Sequence, residues 1–478
     1  MTGALLKGLK AVFVFGYGLF SFAIYVLIGI RRGFFFKGTT EKERLELQLA
    51  RNRFWNLSEK YAGLSHQILT LRNGFKFHYV CNETASDAST NSNKPLVIFI
   101  HGFPDSWAVW RNIVSSEALQ KNATIVAIDT PGYGGSDSLE KYTATNVLES
   151  LTEFIITLRA NYGVDGESGP RKRKTIIVAH DWGCVLSMRL AAEAPELADR
   201  FILTNGPLVR HYFSNIQRLA SSSFKMLKTS LRTPIQSRST IFKAIKTLKP
   251  VVRQVGLSGY IFVMHLPLAY VRYLGSGGNF FFLKMAHKAS YGSTPFTDRD
   301  AAECMASSIG PSIEECRTQT ADGDEYPVAL AKERAYANFE HMAKYYREGL
   351  ALARWEKSVQ TITDLHSISG GRELHRASSG AGIFDDGPKG ALKAPATILW
   401  GKQDIALDPR LCLDGISDYL VADSQVIELP QSGHFTPLEK ESALALEKAV
   451  EWAVQGEKND IAAVLQACYA GAVMKVRK

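Results

Sequence analysis

The sequence has no cysteine pair of the CxxC kind; its six cysteines, Cys81, Cys184, Cys304, Cys316, Cys412 and Cys468, stand far apart. Neither a thiolate metal site nor a disulfide framework is indicated, and a reducing compartment is the default reading. No repeat of solenoid period runs through the 478 residues, which excludes a repeat array. A concentrated basic patch is lacking too. Lys and Arg outnumber Asp and Glu 56 to 47, for a net charge of +9, a balance that suits an anionic partner. These cations are spread along the chain, however, and nucleic acid is not an expected partner. The densest cluster, "RKRK" at 171–174, reads as a solvated loop before a buried strand. Three Asn-x-Ser/Thr sequons, at Asn56, Asn82 and Asn122, are too few to establish a lumenal location.

What is present begins with residues 11–30, "AVFVFGYGLFSFAIYVLIGI", twenty positions without a charge. At ~1.5 Å per residue they span ~30 Å of hydrocarbon. A cleaved signal peptide would have a shorter apolar run and a small-residue cleavage site, whereas "RRGFFFKG" follows here. An uncleaved transmembrane anchor is expected. Lys7 and Lys10 precede it and Arg31, Arg32 and Lys37 follow, a count that leans toward a cytosolic catalytic portion. The expected localisation is a single-pass protein of the endoplasmic reticulum membrane, with its orientation open.

A charged helical tether is expected next, then an antiparallel hairpin over 66–82 that turns at Asn73-Gly74. Six buried strands follow with helices between them: "PLVIFIHG", "ATIVAIDTPG", "KTIIVAHD", "FILTNGP" and, far downstream, "ATILWGKQD" and "SQVIELPQSGH". A hairpin followed by a βα series predicts an α/β fold with a mostly parallel sheet covered on both faces. The long interval between Pro207 and Ala394 lacks that rhythm, is rich in helical apolar spacing, and ends in the Gly/Ser-rich "SISGGRELHRASSGAGIFDDGPKG". It reads as an inserted helical cap with a long loop of its own. The expected divisions are 1–38 anchor, 39–65 tether, 66–207 first part of the core, 208–393 cap, and 394–478 second part of the core with a C-terminal tail.

"VAHDWGCVLS" at 178–187 has strand before it and small-residue helix after it. This is the setting of a nucleophile elbow, with Asp181 at the apex and Ala179, Gly183 and Cys184 where strand and helix crowd together. Alone, Asp181 would read as a helix cap. Upstream, "FIHGFPDSW" ends another strand in His101-Gly102-Phe103-Pro104. The backbone N–H groups of Phe103 and Trp182 would form a two-donor oxyanion hole. Asp404 in "LWGKQD" and His434 in "LPQSGH" lie just past strand ends, where open α/β sheets carry their sites. The order nucleophile, acid, histidine is that of an α/β-hydrolase triad. With no serine at the apex, a serine esterase is disfavoured.

The motifs "HGFP", "DTPGYGGSD", "AHDWG", "WGKQD" and "SGH", taken in this order, resemble the α/β-hydrolase fold. With Asp181 in the elbow, the chain is similar to the epoxide hydrolases and their relatives, the haloalkane dehalogenases. The resemblance covers residues 66–455 as fold and implies an eight-stranded, mostly parallel sheet. It also implies a covalent route. A carboxylate attacking an sp3 carbon forms an ester whose carbonyl belongs to the enzyme, and hydrolysis at that carbonyl restores Asp181. His434, oriented by Asp404, would be the general base. The cap segments "SGYIFVMHLP" and "HMAKYYREGLALARW" resemble those that each supply one ring-opening tyrosine, which maps Tyr260 and Tyr346. His265 stands where relatives carry Gln, and Tyr345 rivals Tyr346. His101, Pro104, Trp182 and Tyr345 are expected around the substrate, His101 also supporting its loop. The implied activity is addition of water to a small lipophilic epoxide to give a vicinal diol, without metal or organic cofactor. A haloalkane dehalogenase is the nearest alternative, and a non-catalytic α/β-hydrolase scaffold is the alternative of another class. Oligomeric state is left open.

Overall fold

In the computed structural model Ser65–Thr70 (β1) and Lys76–Cys81 (β2) form the opening hairpin, with Gly74 at φ +86° in the turn. The other strands are Leu96–Ile100 (β3), Thr124–Ile128 (β4), Thr175–His180 (β5), Arg200–Thr204 (β6), Ala396–Gly401 (β7), Gln425–Leu429 (β8) and Val473–Arg477 (β9). They make one sheet in the order β1-β2-β4-β3-β5-β6-β7-β8-β9, parallel from β4 to β8 and antiparallel at both edges. All six buried strands read from the sequence are present. Among the described residues the sheet has nine strands where eight are expected. The ninth, β9, reads "VMKVR" and alternates exposed with half-buried residues. Such a charged, solvated edge strand has no apolar run to announce it. The structure describes residues 2–85, 93–165, 173–231, 238–292, 295–333, 339–369 and 387–478. Most of the Ser/Asn-rich loop at 83–94 and of the Gly/Ser-rich stretch at 367–390, and Arg171 and Lys172, lie outside the described residues.

The central strands are buried on both sides because successive side chains face opposite ways. Ile98, Ile100, Ile177 and Ala179 enter one core, whereas Val97, Phe99, Ile176 and Val178 enter the other. Each fully buried aliphatic or Phe side chain contributes about 1.5–3 kcal/mol. This two-sided burial is why these strands read as continuous apolar runs and not as alternating ones.

Thr2–Arg31 is one helix (α1), and its Lys7–Arg31 part is long and apolar enough to cross a membrane. Glu41–Trp55 (α2) begins with a capping box from Thr40 and Glu43, as its sequence dictates. It is no free tether. Phe54 and Trp55 are buried against Trp107, and the Trp55 indole donates to Ala306 O at 2.9 Å. The buried apolar end of an otherwise charged helix fixes it to the core. Past β6 come the cap helices Val209–Ser230, Arg238–Leu257, Gly259–Met264 and Leu268–Ser290, the last broken at Gly277–Phe280, followed by Asp298–Ile309 and Phe339–Arg347.

Candidate active site

β5 ends at His180, and a helix starts at Trp182 (Trp182–Glu193, α3). Asp181 between them has φ 50°, ψ −115°, a conformation that costs on the order of 1–3 kcal/mol in a non-glycine residue and persists only when its surroundings enforce it. The crossing of strand and helix supplies that enforcement. A Cβ on Gly183 would lie 2.1 Å from Ile100 O, and one on Gly102 would lie 2.5 Å from Asp181 Oδ1. Those two glycines let the β3 loop close onto the apex. There the Phe103 N–H donates to Asp181 Oδ1 at 2.8 Å. Trp182, first residue of α3, contributes one of the N–H groups that a helix leaves unpaired at its start.

His434 lies in the loop after β8. Its Nδ1–H donates to Asp404 Oδ2 at 2.9 Å, and its Nε2 lies 3.6 Å from Asp181 Oδ2. Asp404 is fully buried and every one of its acceptor directions is used. Oδ1 accepts from the N–H groups of Ala406 (2.7 Å) and Leu407 (2.9 Å), and Oδ2 also accepts from Asn205 Nδ2 (2.7 Å). Asn205 is a site residue that the motif search passed over. Its Oδ1 accepts from Thr436 Oγ1 (2.7 Å) and Gly401 N (3.1 Å), which ties β6, β7 and the histidine loop together. The available signal was the Asn-Gly pair directly after a buried strand. His180 points away from the apex, and its Nε2 bonds His434 O at 2.9 Å.

The charges follow from this geometry. Burial opposes ionisation of Asp181, but the His434 hydrogen bond and charge, His180 and the Phe103 N–H together hold its carboxyl below the usual range. Burial likewise opposes the His434 cation, yet the Asp404 carboxylate and the bond to Asp181 push its pKa up to about 10. Burial and the neighbouring His434 lower His180 to about 4, so it is neutral and its Nε2–H is the donor to His434 O. Asp105, in the same "HGFPD" loop, also escaped the sequence reading. Its Oδ1 accepts from Ser307 Oγ at 3.2 Å, its Oδ2 is buried without a partner, and burial, opposed by Arg111, pushes its pKa up to about 7.

Two cap helices face this pocket floor: Gly259–Met264 with Tyr260 and Phe339–Arg347 with Tyr345 and Tyr346. The Tyr260 and Tyr346 rings meet edge to face at 5.9 Å. Tyr346 stands on Trp182 (5.0 Å) and Phe103 (5.8 Å), and Tyr260 stacks on Phe103 (6.0 Å). The Tyr346 hydroxyl is buried without a well-formed hydrogen bond. Burial first, then the Asp181 charge for Tyr260 and the neighbouring Tyr260 ahead of Asp181 for Tyr346, raises the pKa of both phenols, so both are protonated O–H groups at neutral pH. Tyr345 is not the equal of Tyr346. Its hydroxyl donates to Pro131 O at 2.9 Å, so only its ring, against Trp182, borders the site. His101 is corrected more fully. It is fully buried, its Nδ1 bonds Gly102 O and its Nε2 accepts the Thr130 N–H, so it supports its loop and offers nothing to a substrate. His265 is exposed and bonds its own helix at Ile261 O.

The family model for the alpha/beta hydrolase fold matches residues 95–236. Mouse epoxide hydrolase 3 is 32% identical over 153 residues, which cover 30% of this chain and 36% of that protein. Epoxide hydrolase 1 of Caenorhabditis elegans is 36% identical over 132 residues, 28% of each chain. The matched part thus spans about a third of the length of these relatives. Among solved structures, a Bacillus megaterium epoxide hydrolase with an inhibitor aligns over 81% of this chain and 99% of that one, at 19% identity and a TM-score of 0.47. With its sheet order, its elbow and the family match all in agreement, the chain has the α/β-hydrolase fold and is similar in part of its sequence to epoxide hydrolases.

Proposed function

We propose that the protein hydrolyses epoxides to vicinal diols through an ester on Asp181. The observation that carries this reading is the pair of protonated phenols, Tyr260 and Tyr346, held over an ionised carboxylate at the elbow. A halide needs only weak donors to leave, whereas the oxygen of an opening epoxide needs a proton. That is the reason to favour an epoxide over a carbon–halogen bond.

In this scheme Asp181 Oδ2 attacks a ring carbon while Oδ1 stays with the Phe103 N–H. The ring C–O bond breaks and its oxygen takes a proton from Tyr346 or Tyr260. Esterification removes the Asp181 charge and its hydrogen bond, two of the influences that keep His434 protonated. His434 thereby gives up its proton, which returns the tyrosinate left by ring opening to a phenol, and is a base once the ester exists. Its Nε2 takes a proton from water, and the hydroxide attacks the Asp181 carbonyl carbon. The oxyanion is met by the N–H groups of Phe103 and Trp182. The carbonyl carbon–Oδ2 bond then breaks, Oδ2 takes the proton of the newly formed Asp181 carboxyl, the diol leaves carrying Oδ2, and the water oxygen remains in the Asp181 carboxylate beside a protonated His434.

Pro104 and the rings of Trp182 and Tyr345 line this site in the proposal. The substrate is a small lipophilic epoxide, and α1 attaches the enzyme to a membrane, proposed as the cytosolic face of the endoplasmic reticulum. One turnover in heavy-oxygen water tests the chemistry. Label in the Asp181 peptide is expected, and activity without such label overturns the ester route.

A further inference from the structure

α1 does not stand apart from the catalytic body. Tyr17 donates its hydroxyl to Val255 O at 3.0 Å, and Phe13 and Tyr17 meet Phe262 edge-on. Gly18 leaves no room for a Cβ beside Phe262 O (2.7 Å). Phe22 packs on Tyr270 and Tyr273, and Tyr25 on Phe282. Gly29 is closed in by Phe35 and Phe281. The contact runs from Phe13 to Gly29, or ~24 Å at ~1.5 Å per residue. The opposite face is bare: Leu5, Leu9, Val12, Phe20, Ile24 and Leu27, three or four residues apart save where Gly16 falls, are 40% to 72% exposed.

A helix crossing the membrane would carry its attached cap into the hydrocarbon. Arg253 lies two residues from the Tyr17 contact and Arg272 lies between the two tyrosines that hold Phe22; both side chains are about half exposed. Such charges are costly at bilayer depth and tolerable at the headgroups. Cations also flank the apolar run 11–30 of α1 at both ends, Lys7 and Lys10 before and Arg31, Arg32 and Lys37 after. That pattern fits two ends at the same anionic surface.

The helices Val209–Ser230 and Arg238–Leu257 extend the surface. Residues 209–258 contain ten Lys or Arg and no Asp or Glu. Charge density alone hides this stretch, because it is marked by missing acids and not by clustered bases. On the exposed side of Arg238–Leu257, Phe242, Ile245 and Val252 alternate with Lys243, Lys246 and Lys249, and Phe224 is exposed on the partner helix beside Lys225. A solvated helix carries acids among its bases and hides its large apolar groups. Bare Phe and Ile among lysines, with Asp414 as the one acid among the described residues that share the groove of Lys243 and Lys246, is the composition of an interfacial helix.

We infer that α1 lies in the plane of the membrane, not across it, and that with these two cap helices it forms one surface docked on an anionic phospholipid bilayer. This rests on the reading of α1 as the membrane attachment and changes its topology. The full chain, with an epitope tag ahead of Met1, is bound from outside to vesicles of phosphatidylcholine with and without phosphatidylserine. Failure to float with either vesicle overturns membrane attachment itself. If the chain floats, added protease is expected to remove the tag from intact vesicles; protection until detergent is added shows a spanning helix and overturns the in-plane reading alone. A spin label on Ile245→Cys, with the partly exposed Cys316 and Cys468 changed to Ser, is expected to meet lipid-dissolved oxygen more than an aqueous nickel chelate. The exposed reference Val359→Cys is expected to show the reverse. The shift at 245 should need phosphatidylserine and be lost in Lys243→Glu/Lys246→Glu/Lys249→Glu. A label at 245 as aqueous as that at 359, or one that responds only to added RNA, overturns the docking surface.

Discussion

Asp404→Asn isolates the histidine's orientation from the rest of the site. Asp404 receives four hydrogen bonds, two on each oxygen: Ala406 and Leu407 N–H on Oδ1, Asn205 Nδ2 and His434 Nδ1–H on Oδ2. An amide has one oxygen and one NH2, so two of those donors must face another donor. If the oxygen stays with the two backbone N–H groups, the NH2 confronts His434, which must present a bare Nδ1 and move its proton to Nε2. That tautomer cannot take a proton from water, and the carboxylate that stabilises the imidazolium is gone as well. In the serine triad that serves as the general template, the matching change costs about 10^4 in kcat; a loss of about 10^3 to 10^4 is expected here, or ~4–5.5 kcal/mol of barrier. The loss should fall on ester hydrolysis, because attack by Asp181 needs no base. Rapid quenching followed by intact-protein mass measurement is expected to show the alkyl-enzyme accumulating in the variant. A kcat within tenfold of the parent, or a slow variant that accumulates no ester, refutes the assigned role.

The phenols act on the other half of the reaction. Tyr346→Phe and Tyr260→Phe should each slow ester formation about 10- to 100-fold, and jointly toward the ~10^4 upper range of general acid catalysis. Tyr345→Phe should leave that rate intact and cost ~1 kcal/mol of stability through the lost bond to Pro131 O. Equal rate losses for Tyr345 and Tyr346 in single-turnover assays would contradict this division. Asp105 gives a stability signature of defined sign. Its folded pKa, about 7, lies above the ordinary 3.8, so the native state holds the proton more tightly and stability is lost as pH rises from about 4 through 7. Asp105→Asn should therefore exceed the parent in urea denaturation at pH 8, by roughly 4 kcal/mol at most, and converge with it near pH 4. A pH-independent difference would remove the carboxyl from that role.

The strands, the elbow and the order of the triad were legible because each is a local pattern. Central strands buried on both faces are continuous apolar runs, and an elbow must have small residues where strand crosses helix. β9 was not legible, since an exposed edge strand has no face to bury. Asn205 and Asp105 were missed because their importance lies in bonds to residues about 200 positions away in sequence, Asp404 and Ser307.

The sequence by itself determined which groups can react: a carboxylate at the apex, a histidine and an acid after later strands, and tyrosines on the cap. Only the tertiary structure decided which of them meet. Tyr345 and Tyr346 are adjacent, yet helical geometry turns neighbouring side chains apart by about 100°, so one hydroxyl is spent on Pro131 and the other stands over Trp182. The same holds for α1. Composition makes it a helix long and apolar enough to cross a membrane, and its packing along the cap determines which face is left exposed.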